Sequence, residues 1–269
     1  MNEDKGINIM RFKVEKKTIN IRDDNDNNRE VLRNILINDE NKEKSDLHKY
    51  FIENREEAVY KHLSYFDIYE RYFSKFRGKD INLLEIGVGY GGSLRMWKNY
   101  FSINGAKVNI YGIDKKEKCK RFEEDNIKIY TGFQNDRDFL RELKKEIPKL
   151  DILIDDGSHI MEDQIISFEE MYSHIKDDGI YLCEDVYTSY WTNCNGGYKN
   201  PNSFIEYTKN LIDYLNAYSA IEGDSLEANN FTNSAYCISY YESLIVIEKR
   251  IRDSRYNSFC QQASIGKMM

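Results

Sequence analysis

Three short runs hold most of the reactive side chains of this chain. They are Asp155-Asp156-Gly157-Ser158-His159, Glu184-Asp185, and the glycine-rich Glu85-Ile86-Gly87-Val88-Gly89-Tyr90-Gly91-Gly92. Several carboxylates with water make a hard oxygen site, which suits Mg²⁺ better than zinc or copper. A neighbouring histidine can act as a general base near neutral pH. Together they suit deprotonation of a hydroxyl: a metal lowers its pKa and orients it while the base takes the proton. The set Asp156, His159, Glu184 and Asp185 is therefore the candidate reactive cluster.

The glycine run follows an apolar segment and precedes a helical one. Its glycines permit a tight turn and a close approach of ligand to backbone at a helix N-terminus. Asp114 ends the next apolar segment, 29 positions after Glu85, where a carboxylate can accept hydrogen bonds from both hydroxyls of a ribose. Gly87, Gly89 and Gly92 also satisfy G-x-G-x-x-G, so the loop alone admits an NAD enzyme as well as an S-adenosylmethionine (SAM) enzyme. Glu85 favours the second, because a carboxylate there suits an ammonium and would face a pyrophosphate badly. After the third strand, Gln134 and Asp136 either hydrogen-bond an adenine or, for Asp136, cap the following helix. Tyr187, Tyr190 and Trp191 directly follow the Glu184-Asp185 tip, where aromatic faces can pack on an acceptor ring or, equally, in the core.

These residues need a scaffold that brings distant runs to one edge. Strands are predicted at Ile81–Ile86, Val108–Ile113, Ile127–Tyr130, Asp151–Ile154 and Gly179–Cys183. Helical patterns fall at 92–102, 139–147, 163–175 and 203–218 between and after them. That alternation implies a mostly parallel sheet covered by helices on both faces. Ala235–Tyr240 and Ser243–Glu248 are joined too tightly for a helical crossover and read as a β-hairpin. In such a sheet ligands sit beyond the carboxyl ends of the strands, where the three runs lie. Upstream, residues 1–45 read as a polar arm, with a short amphipathic stripe at Val31, Leu32, Ile35 and Leu36. Residues 46–78 read as a helical extension with an inward stripe of Tyr60, Leu63, Phe66, Tyr69, Tyr72 and Phe73. Residues 79–269 form the main α/β domain.

The runs Leu83–Trp97, Ile154–His159, Tyr181–Trp191 and Ser239–Lys249, in this order, resemble the class I SAM-dependent methyltransferases of the sugar O-methyltransferase group. That group includes macrolide-sugar, rhamnosyl and capsular heptose enzymes and is similar to cephalosporin-hydroxylase-like proteins. The resemblance covers about residues 60 to 250. It implies a doubly wound, mostly parallel, Rossmann-like seven-stranded α/β sheet with a terminal antiparallel hairpin. It implies SAM bound by Glu85, Gly87, Gly89, Gly91, Ser93, Asp114, Gln134, Asp136 and Asp155. It implies Mg²⁺ held by Asp156, Glu184 and Asp185, with His159 as base, Asp156 also in the reaction, and Tyr187, Tyr190 and Trp191 near the acceptor. The chain departs from the group at Phe133, where Asp or Ser is usual. The implied acceptor is a sugar hydroxyl of a sugar nucleotide or a surface-polysaccharide (capsule) precursor, with another small molecule or a phosphorylated capsule group as the alternative acceptor and an NAD-dependent sugar oxidoreductase as the alternative enzyme.

Bulk properties fit that expectation. The 269 residues suffice for one large domain with an extension, and 41% hydrophobic residues can build a core. A net charge of −7 disfavours a nucleic-acid partner, which is held through many phosphate-facing cations. No apolar run is long enough to span a membrane and no apolar leader core is seen, so a cytoplasmic location is expected. The five cysteines have no metal or disulfide spacing and read as free thiols. A homo-oligomer is compatible with the N-terminal arm.

Overall fold

The computed structural model describes residues 45–54, 56–221 and 225–252. The predicted arm and its Val31–Leu36 stripe, and Cys260, lie outside these residues. The helices are α1 (Asp46–Glu53), α2 (Tyr65–Phe73), α3 (Gly92–Phe101), α4 (Arg137–Glu146), α5 (Met161–Met171), α6 (Phe204–Asn216) and α7 (Asn230–Ser234). The strands are β1 (Ile81–Ile86), β2 (Val108–Asp114), β3 (Ile127–Thr131), β4 (Leu150–Asp155), β5 (Ile175–Cys183), β6 (Ala235–Tyr241) and β7 (Leu244–Lys249).

The strands form one sheet in the order β3-β2-β1-β4-β5-β7-β6. The first five run parallel, β7 runs antiparallel to β5, and β6 closes the hairpin. This is the seven-stranded sheet with a terminal hairpin that the resemblance implies. Its central strands carry apolar residues on both faces because helices cover both. Alternate residues of each strand point to opposite sides. Leu83, Ile110, Ile152, Leu182 and Val246 enter a core under α1, α2 and α3, while Leu84, Leu153, Tyr181, Ile245 and Ile247 enter another under α4, α5 and α6. In the first core the edge of Trp97 meets Tyr69 at 5.0 Å and Phe73 at 5.6 Å between ring centroids, so α2 and α3 lock through aromatic contacts.

The extension differs from its predicted continuous helix. Residues 54 and 56–64 are not helical, and Tyr60 of the predicted inward stripe is 79% exposed. Phe66, Tyr69, Tyr72 and Phe73 are buried as expected, in the same core as Leu83 and Trp97. The helix begins only at Tyr65, and the chain before it takes an open path that carries Lys61 inward. Two smaller differences occur at helix ends. Ile175 starts β5 rather than ending α5, and α7, a five-residue helix, has no predicted counterpart. Asn229 begins α7 with a capping box closed by Thr232.

One buried cation lies far from the strand tips. Lys249 Nζ donates to the carbonyls of Tyr172 (3.2 Å) and Ile175 (2.7 Å). Burial draws its pKa down to about 8. The unfolded chain then carries a proton that the folded chain has released, and stability rises as pH climbs from about 8 towards 10. Above that range buried tyrosines reverse the trend, since burial lifts the Tyr69 phenol well above its ordinary value and the unfolded chain ionises first. The Lys249 contribution, read as the difference in urea midpoint stability between wild type and Lys249→Met, should grow by at most about 3 kcal/mol between pH 7 and 10. A pH-independent difference would contradict it.

Among the described residues, no helix is long and apolar enough to cross a membrane. The four described cysteines are free, as expected.

Candidate active site

A cavity of about 860 Å³ opens above the carboxyl edge of the sheet, within the size range of small-molecule sites. It is lined by the glycine loop after β1, Asp114 at the tip of β2, the Gly132–Asn135 loop after β3, the Asp156–Ile160 segment after β4, and Glu184, Asp185 and Tyr187 after β5. Segment 58–62 and Tyr65 close its remaining side. A more open depression of about 1160 Å³ lies on the α1–α3 flank, but it contains none of the strand tips.

The glycine loop is shaped by close backbone packing. Gly87 has φ +98°, and a Cβ there would sit 2.0 Å from the carbonyl oxygen of Asp156. No side chain fits, so the loops after β1 and β4 meet directly. Asp114 accepts from the Gly89 N–H (3.0 Å) and the Lys116 N–H (2.8 Å), which fixes its carboxylate at the cavity wall. Gln134 joins two further loops: its amide nitrogen donates to Asp155 and its oxygen accepts from the Ser158 N–H at 2.6 Å.

Four expected cofactor residues face protein rather than cavity. Asp136 caps α4, accepting from the N–H groups of Asp138 and Phe139, which is the capping alternative. Asp155 is fully buried, takes hydrogen bonds from Ser167, Gln134 and Gly157, and is raised to about 6 by burial. Gly91 adopts φ +79° as the residue before α3, with its α-carbon against the Phe122 ring. Glu85 is also fully buried: Ser93 Oγ donates to its Oε2 (2.7 Å) and Lys61 Nζ to its Oε1 (3.1 Å). Burial lifts the Glu85 carboxyl, with Lys61 opposing.

Lys61 is the largest departure from the sequence reading. Its side chain is 2% exposed, and its ammonium donates to Asp156 Oδ2 (2.6 Å) and both Glu184 oxygens (3.0 Å each) as well as to Glu85. Burial alone would lower its pKa, but Asp156, Glu184 and Glu85 hold it well above the ordinary lysine value. Tyr69 also donates to Glu184, at 2.7 Å, and Tyr65 to Asp185 Oδ1, at 2.6 Å. Both Glu184 oxygens thereby accept from Lys61, and Glu184 groups with Glu85 and Asp156 rather than with His159 and Asp185. Burial and the adjacent Asp156 raise its pKa well above the carboxylate range. No spacing in the sequence exposes this group, since Lys61 precedes α2 and its carboxylate partners lie 24, 95 and 123 positions away.

Asp156, Asp185 and His159 do converge. His159 Nε2 lies 3.7 Å from Asp156 Oδ1 and 3.7 Å from Asp185 Oδ2. One ligand atom from each falls within 4.8 Å of the others, a donor set that fits a hard divalent ion completed by water. His159 and Asp185 both adopt positive φ, +58° and +54°. His159 Nδ1 is buried without a hydrogen-bond partner among the described residues. Of the expected acceptor residues, Tyr187 lines the cavity, with its hydroxyl 3.4 Å from Asp185 Oδ2. Trp191 packs on Tyr187 at 4.9 Å, while neither it nor the half-exposed Tyr190 lines the cavity.

No family model matches the chain. It is 34% identical over 193 residues to the demethylmacrocin O-methyltransferase of Streptomyces fradiae, covering 68% of this chain and 48% of that protein. It is 32% identical over 197 residues to the 8-demethyl-8-alpha-L-rhamnosyl tetracenomycin-C 2'-O-methyltransferase of Streptomyces olivaceus, covering 70% of this chain and 50% of that protein. The chain thus spans about half the length of the curated relatives it matches. Among solved structures it resembles the MycE methyltransferase of the mycinamycin biosynthetic pathway, with a TM-score of 0.68 and 29% identity, covering 78% of this chain and 55% of that one. With the β3-β2-β1-β4-β5-β7-β6 sheet and the glycine loop at its carboxyl edge, these likenesses establish that the chain belongs, over the residues they span, to the class I SAM-dependent methyltransferases, in the group of the sugar O-methyltransferases.

Proposed function

We propose that this chain is a SAM-dependent O-methyltransferase acting on a sugar hydroxyl, with Mg²⁺ as its metal. The observation that carries the reading is the shared cavity, in which the glycine loop and Asp114 lie opposite Asp156, Asp185 and His159. The relatives support it: one is named for a rhamnosyl acceptor, and MycE was crystallised with Mg, S-adenosylhomocysteine and mycinamycin VI. The acceptor is the sugar of a glycosylated small molecule or an activated sugar, the latter including surface-polysaccharide precursors.

The glycine loop offers backbone N–H groups to the cofactor, and Asp114 has lone pairs left for the two ribose hydroxyls. SAM, when bound, supplies a methyl group on a sulfonium that needs no further activation. Asp156 and Asp185 would hold Mg²⁺, a Lewis acid that increases the acidity of a hydroxyl beside it. His159, between these carboxylates, takes the hydroxyl proton at Nε2. Tyr65 holds Asp185 in place through its 2.6 Å hydrogen bond. Tyr187 lines the cavity, where an aromatic ring can pack on the apolar side of a sugar ring.

The test is calorimetry with SAM or S-adenosylhomocysteine, then a screen of glycosylated small molecules and activated sugars for a mass gain of one methyl group. Binding of SAM with little binding of NAD is expected. Asp114→Ala should weaken SAM binding roughly 5–150-fold, equivalent to about 1–3 kcal/mol. Tight NAD binding without SAM binding would overturn the reading.

A further inference from the structure

Two cation positions share Asp156. One is bounded by Asp156, His159 and Asp185, and the other by Glu85, Asp156 and Glu184; in each, the ligand atoms lie within 4.8 Å of one another. The second position holds the ammonium of Lys61, at 2.6–3.1 Å from its carboxylate oxygens. The two use different oxygens of Asp156. Oδ2 accepts from Lys61, and Oδ1 faces His159 at 3.7 Å.

Lys61 is brought there by a segment pinned to the glycine loop's helix. A Cβ on Gly92 would lie 2.5 Å from the carbonyl oxygen of Ala58, so α3 and this segment touch backbone to backbone. Arg95 on α3 pairs with Glu56 (2.6 Å) and Glu57 (2.8 Å). Asn54 Nδ2 donates to the Glu57 carbonyl at 2.7 Å. The ammonium is therefore held by the fold around it as well as by its carboxylates.

Two buried carboxylates, Glu85 and Glu184, and the half-buried Asp156 would without a cation repel one another and attract any ion of suitable size. We infer that Lys61 is a resident cation of the site, a positioning residue that closes one carboxylate triad, fixes the orientation of Asp156, and limits the cluster to a single divalent ion. The inference rests on the proposed function only for the role of the open triad. The closed triad stands on its own contacts.

The experiment is Mn²⁺ titration of the full chain by calorimetry and electron paramagnetic resonance, with thermal melts in parallel. Wild type should bind one Mn²⁺, and Lys61→Met should bind one more. Without metal, Lys61→Met should melt roughly 10 °C lower, as follows from an uncompensated buried charge cluster, and Mn²⁺ should restore much of that loss. The double variant Lys61→Met/Glu184→Gln, which removes one cation and one anion, should melt above Lys61→Met without metal. A side chain that merely filled space would leave the ion count unchanged. Lys61→Met that binds the same number of ions as wild type, or a double variant no more stable than the single one, would overturn the inference. A wild type that binds neither Mn²⁺ nor S-adenosylhomocysteine would sink the proposed function. The gain of one ion in Lys61→Met, and the order of the melts, would still decide the role of Lys61. If Lys61→Met is recovered only unfolded, the melt of the double variant decides.

Discussion

Replacing His159 with alanine should lower kcat by about 10²–10⁴-fold, the usual loss when a general base is removed. His159 is the titratable nitrogen flanked by Asp156 and Asp185 in the cavity, 3.7 Å from each. His159 lies on the loop after β4 and not in the glycine run, so S-adenosylhomocysteine affinity should stay within about twofold. Mn²⁺ affinity separates two roles for the ring. If His159 takes the proton and the carboxylates hold the ion, the variant keeps its ion and loses only turnover. If the ring is itself a ligand, Mn²⁺ affinity falls together with kcat. Full activity in the variant would assign the proton to one of the carboxylates instead.

Removal of the divalent ion should abolish turnover, and restoring Mg²⁺ should recover it. The expectation rests on Asp156 and Asp185, each with an oxygen within 4.8 Å of the other's and of a His159 ring nitrogen. Asp185→Asn replaces an anionic oxygen by an amide and should raise the Mg²⁺ concentration needed for half-maximal activity at least tenfold, since loss of a charged partner costs about 1.5–3 kcal/mol. Tyr65, which donates to Asp185 Oδ1, gives a finer test. Tyr65→Phe should raise the Mg²⁺ requirement less than Asp185→Asn, because the carboxylate remains and only its orientation is freed. Undiminished turnover in excess EDTA would remove the metal from the mechanism and leave the carboxylates as hydrogen-bond acceptors for the acceptor hydroxyl.

The sheet was legible because its signals are local. Each parallel strand is a short apolar run ending in glycine or acid, and the tight turn between β6 and β7 excludes a crossover. The open half of the site was legible for the same reason: Asp156 and His159 are three residues apart, and Asp185 ends the adjacent strand. The closed half was not. Lys61 meets Glu85, Asp156 and Glu184 across 24, 95 and 123 positions, separations at which spacing carries no code. Tyr69 illustrates the limit within one residue. Its ring fits the apolar stripe, but its hydroxyl reaches Glu184, and periodicity registers only the ring. Glu85 pointed to an ammonium, but no local pattern shows that Lys61 of the chain itself donates to it. Asp136 had two readings and Gln134 one, and hydrogen bonds that no linear pattern encodes make Asp136 a helix cap and Gln134 a tie between loops.

The left-handed backbone at His159 and Asp185 has a consequence for anyone who tries to make this protein hardier. Side chains in that conformation cost of order 1–3 kcal/mol when not glycine, and the cost falls on two residues of the reactive cluster. Glycine at either position would relieve that strain. A library selected only for heat resistance would therefore be drawn towards variants that keep the sheet, melt later and catalyse nothing. Directed evolution of this scaffold has to select for turnover in every round, or its winners will be inert.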